Sequence, residues 1–327
     1  MITTNKNETT LSMSQKLLQL RLKPNLRVVA LGDSSVYGIG DLGGNESETG
    51  YGWTGRIAYD LQATKYLNLS KNGARASDVF NEQLPSAISV RADLALICVG
   101  GNDALRNNFD PVKVAHHLYK TVSELEENGT VVVLLALHDP SKIAPAPKSI
   151  KHVLLDRALQ VNAALKWVAS KTNAFLIEIM DKELIYEKNL WHIDRMHPGP
   201  KGHQFIADLV RRELSLPRRS KEKLSTESNR ERKAKTIWLL TNGFKWFARR
   251  SIDLLPALIY LIIKDALRLR SISSGYALRL KLYLEVILLN LFEDGFKVLR
   301  QKTEEPVDAF NISFAWRTPS KTKMLIQ

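Results

Sequence analysis

Ser34 stands directly after an apolar run, in Val28-Val29-Ala30-Leu31-Gly32-Asp33-Ser34-Ser35. A serine hydroxyl is a weak nucleophile. It attacks a carbonyl only when an imidazole takes its proton, a carboxylate orients that imidazole and N–H donors receive the oxyanion. The chain offers each part. Asp194 and His197 lie three residues apart in Trp191-His192-Ile193-Asp194-Arg195-Met196-His197-Pro198, just before a Pro-Gly-Pro helix start. On one tight turn the carboxylate can hold the imidazole's tautomer. Lys71-Asn72-Gly73-Ala74 and Gly100-Gly101-Asn102-Asp103 each follow an apolar run. Glycine lets a backbone N–H come close to a ligand, and Asn102 carries a side-chain amide donor. Ser35-Val36 follow Ser34, so the G-x-S-x-G turn of the α/β-hydrolases is absent.

Each of these residues also has an ordinary structural use. Ser34 alone reads as a turn or N-cap serine. Ser35 is assigned to local turn bonding, Asp33 to a cap and Asp103 to bonding its own loop. Asn102 has an Asx-turn reading. His192 is the nearest competitor of His197 as a base and, with His203, otherwise reads as structural or surface. His138 sits near a strand end, and His116-His117 fall mid-helix.

The elements that would position them are legible in the hydropathy pattern. Short, near-continuous Val/Ile/Leu runs at Arg27–Leu31, Leu67–Ser70, Leu94–Val99, Val131–Leu137 and Phe175–Ile179 read as strands buried on both faces. Amphipathic stretches at 53–64, 76–91, 112–128, 150–172 and 200–213 separate them, with Gly129 as a helix stop. This alternation predicts a parallel sheet covered by helices on both sides. Ligands of such sheets bind outside the carboxyl ends of the strands, where three of the polar clusters fall.

Taken in order, Gly32-Asp33-Ser34, Gly73, Gly100-Gly101-Asn102-Asp103 and Asp194-x-x-His197 resemble the four blocks of the SGNH (GDSL-type) hydrolases, over roughly residues 25–213. The resemblance implies an α/β, three-layer αβα flavodoxin-like domain with a five-stranded parallel sheet. It implies hydrolysis of a carboxylic ester, with Ser34 as nucleophile, His197 as base and Asp194 orienting it. The oxyanion hole would comprise the Ser34 and Gly73 amides and the Asn102 side chain. No cofactor or metal is called for. At the position where the family often carries a second glycine in the second block, this chain has Ala76.

The 327 residues have 44% hydrophobic content, enough for a sizeable core, and a single cysteine, Cys98, which excludes an intrachain disulfide framework. The start of the chain lacks a secretory pattern, which predicts an intracellular, cytoplasmic protein. Net charge is +13, unevenly spread: residues 1–214 carry 25 Lys and Arg against 23 Asp and Glu, residues 215–327 the other 22 against 11. The sequence divides into an N-terminal segment (1–24), the hydrolase domain (25–214), a charged linker (215–236), an amphipathic helical extension (237–300) and a tail (301–327). In the extension, Ile237, Leu240, Phe244 and Phe247 fall at helical spacing beside Lys245, Arg249 and Arg250. The apolar run 254–263 is too short to span a bilayer.

Such basic, aromatic-rich stripes fit helices lying at an anionic membrane surface, so the expected partners are a small-molecule or lipid ester and the inner membrane face. Packing on the domain or pairing between chains is the alternative, and the oligomeric state is open. Nucleic acid ranks last because no groove-reading motif accompanies the charge. Transfer of the acyl group to an alcohol by the same triad, and a membrane-surface binding protein that has lost turnover, are the rival functions.

Overall fold

The structure is a computed structural model that describes residues 13–41 and 52–216, apart from 107, 145, 147 and 193. The linker predicted at 215–236 from residue 217 onward, the segments predicted at 237–300 and 301–327, and residues 42–51 after Ser34 lie outside the described residues.

Five strands form the sheet: β1 (Arg27–Gly32), β2 (Lys65–Asn68), β3 (Leu94–Cys98), β4 (Val131–Leu135) and β5 (Phe175–Ile177). Their order is β2-β1-β3-β4-β5 and every pairing is parallel. Parallel neighbours need crossovers, and here the crossovers carry α2 (Ser34–Tyr37), α3 (Gly52–Asp60), α4 (Ala76–Asp78), α5 (Leu84–Ser89), α6 (Gly101–Ala104), α7 (Pro111–Glu127) and α8 (Lys148–Lys171), while α1 (Met13–Leu22) precedes β1 and α9 (Pro200–Glu213) follows β5. The strand order reverses between β1 and β3, which opens a crevice at their carboxyl ends.

Alternation along the strands makes two cores. Val28 and Ala30 face one side, with Trp53 and Ile57 of α3 and Ile206 and Val210 of α9. Val29 and Leu31 face the other, with Leu118 and Val122 of α7 and Val161 and Val168 of α8. Both faces of β1, β3 and β4 are buried, so these strands read as near-continuous apolar runs. The predicted α/β layering is observed. The strand positions shift slightly: β2 starts at Lys65, paired with Arg27. After β4, the Leu137 backbone pairs with the Asn162 side chain, whose Oδ1 accepts the Leu137 N–H at 2.8 Å and whose Nδ2 donates to the Leu137 carbonyl at 2.9 Å.

Two departures are informative. The stretch 76–91 is not one uniform helix; Val79–Gln83 forms a π turn between α4 and α5. Of the N-terminal segment 1–24, residues 13–22 form α1, whose Leu20 is buried in the first core. Just after it, Lys23 and Arg27 pair with the buried Asp93 at 2.6 and 2.9 Å. Ion pairs between Arg56 and Asp41, and between Arg211 and Asp60, are buried where α3 meets α9. With the Arg56–Gln204 bond (3.1 Å) they tie the helix that follows His197 to the domain.

Candidate active site

β1 ends on Gly32 at φ +142°, and a side chain there would run into the Cys98 carbonyl oxygen. Only glycine lets β1 and β3 close so tightly at this point. The turn that follows is capped by Asp33, whose carboxylate accepts the Ser35 amide (2.9 Å) and hydroxyl (2.8 Å). The amides of Val36 and Tyr37 bond the Asp33 carbonyl. The bonds of this turn therefore leave the Ser34 amide aside, and the Ser34 side chain emerges at the strand's carboxyl end. Asp33 as a cap and Ser35 as a local bonder match the structural uses read from the sequence.

The segment before α9 is closed on itself. Trp191 and Pro198 form an antiparallel bridge, and the His192 amide donates to the His197 carbonyl at 2.9 Å. Asp194 Oδ1 accepts the Met196 and His197 amides at 2.9 and 3.0 Å, as an Asx turn does. Its other oxygen lies 2.8 Å from His197 Nδ1. The far nitrogen, His197 Nε2, lies 2.8 Å from Ser34 Oγ, across 163 residues of sequence. Ser34 and His197 are both buried.

With Nδ1–H donating to Asp194, Nε2 is left as the acceptor for the Ser34 hydroxyl. Burial pushes the Asp194 carboxyl up, but hydrogen bonds and charge from His192 and His197 outweigh it and hold it well below the usual carboxylate range. His192 is thus not a surface residue: its Nδ1 lies 3.2 Å from Asp194 Oδ2. His197, not His192, reaches the serine.

Gly73 and Asn102 also reach the carboxyl ends of the strands. Gly73 has φ +85°, in the turn after β2 where Ala74 N bonds Lys71 O. Asn102 lies on α6, its Nδ2 3.1 Å from the Ala74 carbonyl and 3.4 Å from Asp33 Oδ2. These are inter-element contacts, not the local Asx turn. Asp103 accepts the Ala76 amide at 3.1 Å.

The other histidines have structural surroundings. His138, after β4, packs its ring 4.4 Å from that of Trp191. Burial lowers it to about 4, so it is neutral at pH 7. His203 is buried within α9, lowered by burial to about 4, with Nε2 3.1 Å from the Ile39 carbonyl. His117 bonds the Lys113 carbonyl on its own helix. Burial raises the Cys98 thiol to about 12, which removes it as a nucleophile.

One supporting residue has no sequence signature. Gln83, in the π turn, is buried and brackets Gly32: its Oε1 accepts the Gly32 amide (2.7 Å) and its Nε2 donates to the Gly32 carbonyl (3.0 Å). It holds the strand end from which Ser34 projects. A buried polar residue in an amphipathic stretch was the only available hint. Among the described residues no group of three or more His, Cys, Asp or Glu is arranged to hold a metal. None of the described helices is long and apolar enough to cross a membrane.

Known proteins resemble this chain. A family model described as "GDSL-like Lipase/Acylhydrolase family" matches residues 30–205. The chain belongs to that family, and is a hydrolase of the SGNH/GDSL type acting on ester bonds. The Uncharacterized protein YpmR of Bacillus subtilis (strain 168) is 24% identical over 225 residues, which cover 60% of this chain and 84% of that protein. Among solved structures, the acetylxylan esterase Axe2 from Geobacillus stearothermophilus is 18% identical. The alignment covers 62% of this chain and 100% of that one, with a TM-score of 0.49. The psychrotrophic esterase EstA from Pseudoalteromonas sp. is also 18% identical, over 59% of this chain and 97% of that one, with a TM-score of 0.46.

Proposed function

We propose that Ser34 is the nucleophile of this ester hydrolase, His197 its general base and Asp194 the carboxylate that orients the base. The observation that carries the reading is the continuous chain from Ser34 Oγ to His197 Nε2 (2.8 Å) and from His197 Nδ1 to Asp194 Oδ2 (2.8 Å). Ser34 Oγ bonds to the acyl carbon while its proton passes to His197 Nε2. The carbonyl electron pair moves onto oxygen, which the Ser34 and Gly73 amides and Asn102 Nδ2 receive. Collapse expels the alcohol, protonated by His197, and leaves an acyl-Ser34. Water, deprotonated by the same imidazole, attacks the acyl carbon and releases the acid as Ser34 regains its proton.

The substrate proposed is a lipid-like ester met at an anionic membrane surface. Support comes from the charge distribution: residues 215–327 hold 22 Lys and Arg against 11 Asp and Glu, with apolar stripes at helical spacing. In this reading residues 25–214 are the catalytic domain and 237–300 the membrane-seeking extension.

Hydrolysis of p-nitrophenyl esters of two to sixteen acyl carbons by the full chain, beside Ser34→Ala, tests the chemistry. Turnover that survives in S34A overturns the assignment. Co-sedimentation of the full chain with vesicles tests the surface: equal recovery on neutral and phosphatidylglycerol-containing vesicles removes the anionic-membrane reading.

A further inference from the structure

Gly73 and Asn102 arrive on separate elements, the turn after β2 and α6 after β3. Two donors can receive one oxygen atom only if the distance between those elements is fixed. Two bonds cross the gap. One is from Asn102 itself, Nδ2 to the Ala74 carbonyl at 3.1 Å; the same nitrogen also lies 3.4 Å from Asp33 Oδ2. The other does not use the Asn102 amide: the Ala76 amide donates to Asp103 Oδ2 at 3.1 Å. Ala76 opens α4 and is fully buried in the second core. The carboxylate therefore grips a packed helix start, three residues beyond Gly73, rather than a free loop. The Arg75 amide in turn donates to Asp78 Oδ2 at 2.9 Å, which closes that first turn.

We propose that Asp103 is a positioning residue that latches the Gly73 turn to the Asn102 helix and so sets the separation of two oxyanion donors. The proposal rests on the reading of Gly73 and Asn102 as oxyanion donors given above. It also makes the hole sensitive to pH. Burial raises the Asp103 carboxyl to about 6, against the Ala76 amide and the Arg75 charge, with Asp78 adding to the rise. Below that pH a neutral carboxyl replaces the carboxylate as acceptor, and a charge-assisted bond becomes a weaker neutral one.

The test needs no natural substrate. A fluorophosphonate phosphonylates the serine through an oxyanion that needs the same donors, so its second-order labelling rate reads their placement. Wild type, Asp103→Ala, Asp103→Asn and Ser34→Ala are compared as full chains between pH 5 and 8. D103A is expected to label roughly ten- to a hundredfold more slowly than wild type. D103N keeps an oxygen that accepts the Ala76 amide, and at pH 8 it is expected to return to within about threefold of wild type.

The ratio of D103N to wild type should rise below pH 6, because only the carboxylate weakens there and the His197 base is common to both. A D103A rate equal to wild type overturns the latch, as does a D103N as slow as D103A. If D103A fails to fold by circular dichroism, a D103N to wild-type ratio that stays flat across the pH range overturns it by itself. Labelling that persists in S34A refutes the site assignment instead, so the two failures are distinct.

Discussion

Asp103→Asn removes a charge and keeps the side chain's shape, so the energetic cost of burying that charge can be measured directly. The Asp103 carboxyl moves from an ordinary 3.8 to about 6, first because of burial. A carboxyl whose folded value is raised binds its proton more tightly in the folded chain than in the unfolded one. Between the two values the folded state carries more protons, so stability falls as pH rises. Integrated from pH 4 to pH 7, at about 1.4 kcal/mol per tenfold, the wild type loses about 2 kcal/mol relative to a non-titrating side chain.

Asparagine accepts the Ala76 amide less strongly than a carboxylate does, a constant offset of about 1 kcal/mol at the pH where Asp103 is charged. D103N is therefore expected to gain on wild type as pH rises, and to be the more stable protein at pH 7. Urea unfolding at pH 4 and pH 7, followed by fluorescence of the buried Trp53 and Trp191, gives the two differences. A stability difference that is the same at both pH values refutes the reasoning. A wild type that gains on D103N at the higher pH refutes it more strongly, since that would mean a carboxyl held down rather than up.

Three further outcomes follow from the same structure. Asn102→Ala should lower kcat by roughly 10²–10³ if its amide receives the oxyanion, read on whichever p-nitrophenyl ester is turned over best; a loss below tenfold removes Asn102 from the hole. Gln83→Leu leaves the buried Gly32 amide without its acceptor and should destabilise the domain by about 2 kcal/mol in urea unfolding. Asp93 is the opposite electrostatic case to Asp103. Burial pushes it up, yet bonds from Arg27 and Lys23 hold it at about 2. Its contribution is present above its ordinary value and lost as pH falls through about 2, so Asp93→Asn should cost about 1–2 kcal/mol at pH 7 and progressively less toward pH 2.

The sheet was legible because both of its faces are covered. Val28 to Leu31 alternate between two apolar cores, so neither face needs polar residues and the run stands out from its surroundings. The helices were legible for the complementary reason: α7 and α9 each bury one stripe and wet the other, giving the 3.6-residue period. Ser34, Asp194 and His197 stand out in the sequence only as members of an ordered set of blocks, and the fold brings their side chains together. Asp33 caps the turn before the serine, and the Asx bonds of Asp194 span only two and three residues. The residues that support this set bond across longer spans. Gln83 reaches Gly32 across 51 residues and Asp103 reaches Ala76 across 27.

Nor does either of those contacts have a period. Gln83 is aimed at β1 from a π turn, a local widening of the helix that amphipathic spacing does not encode. Asp103 reads from the sequence as structural, bonding the loop; it does bond its own backbone amide, and it also accepts the Ala76 amide of another turn because β2 and β3 flank β1 and bring their carboxyl ends to one crevice. His192 is the nearest competitor of His197 in the sequence for a similar reason. Spacing alone places both His192 and His197 within reach of Asp194, and only the fold shows that it is His197 whose Nε2 lies 2.8 Å from Ser34 Oγ. What the sequence withholds is thus the set of contacts made between separate turns, and these are the contacts on which the placement of Ser34, Gly73 and Asn102 depends.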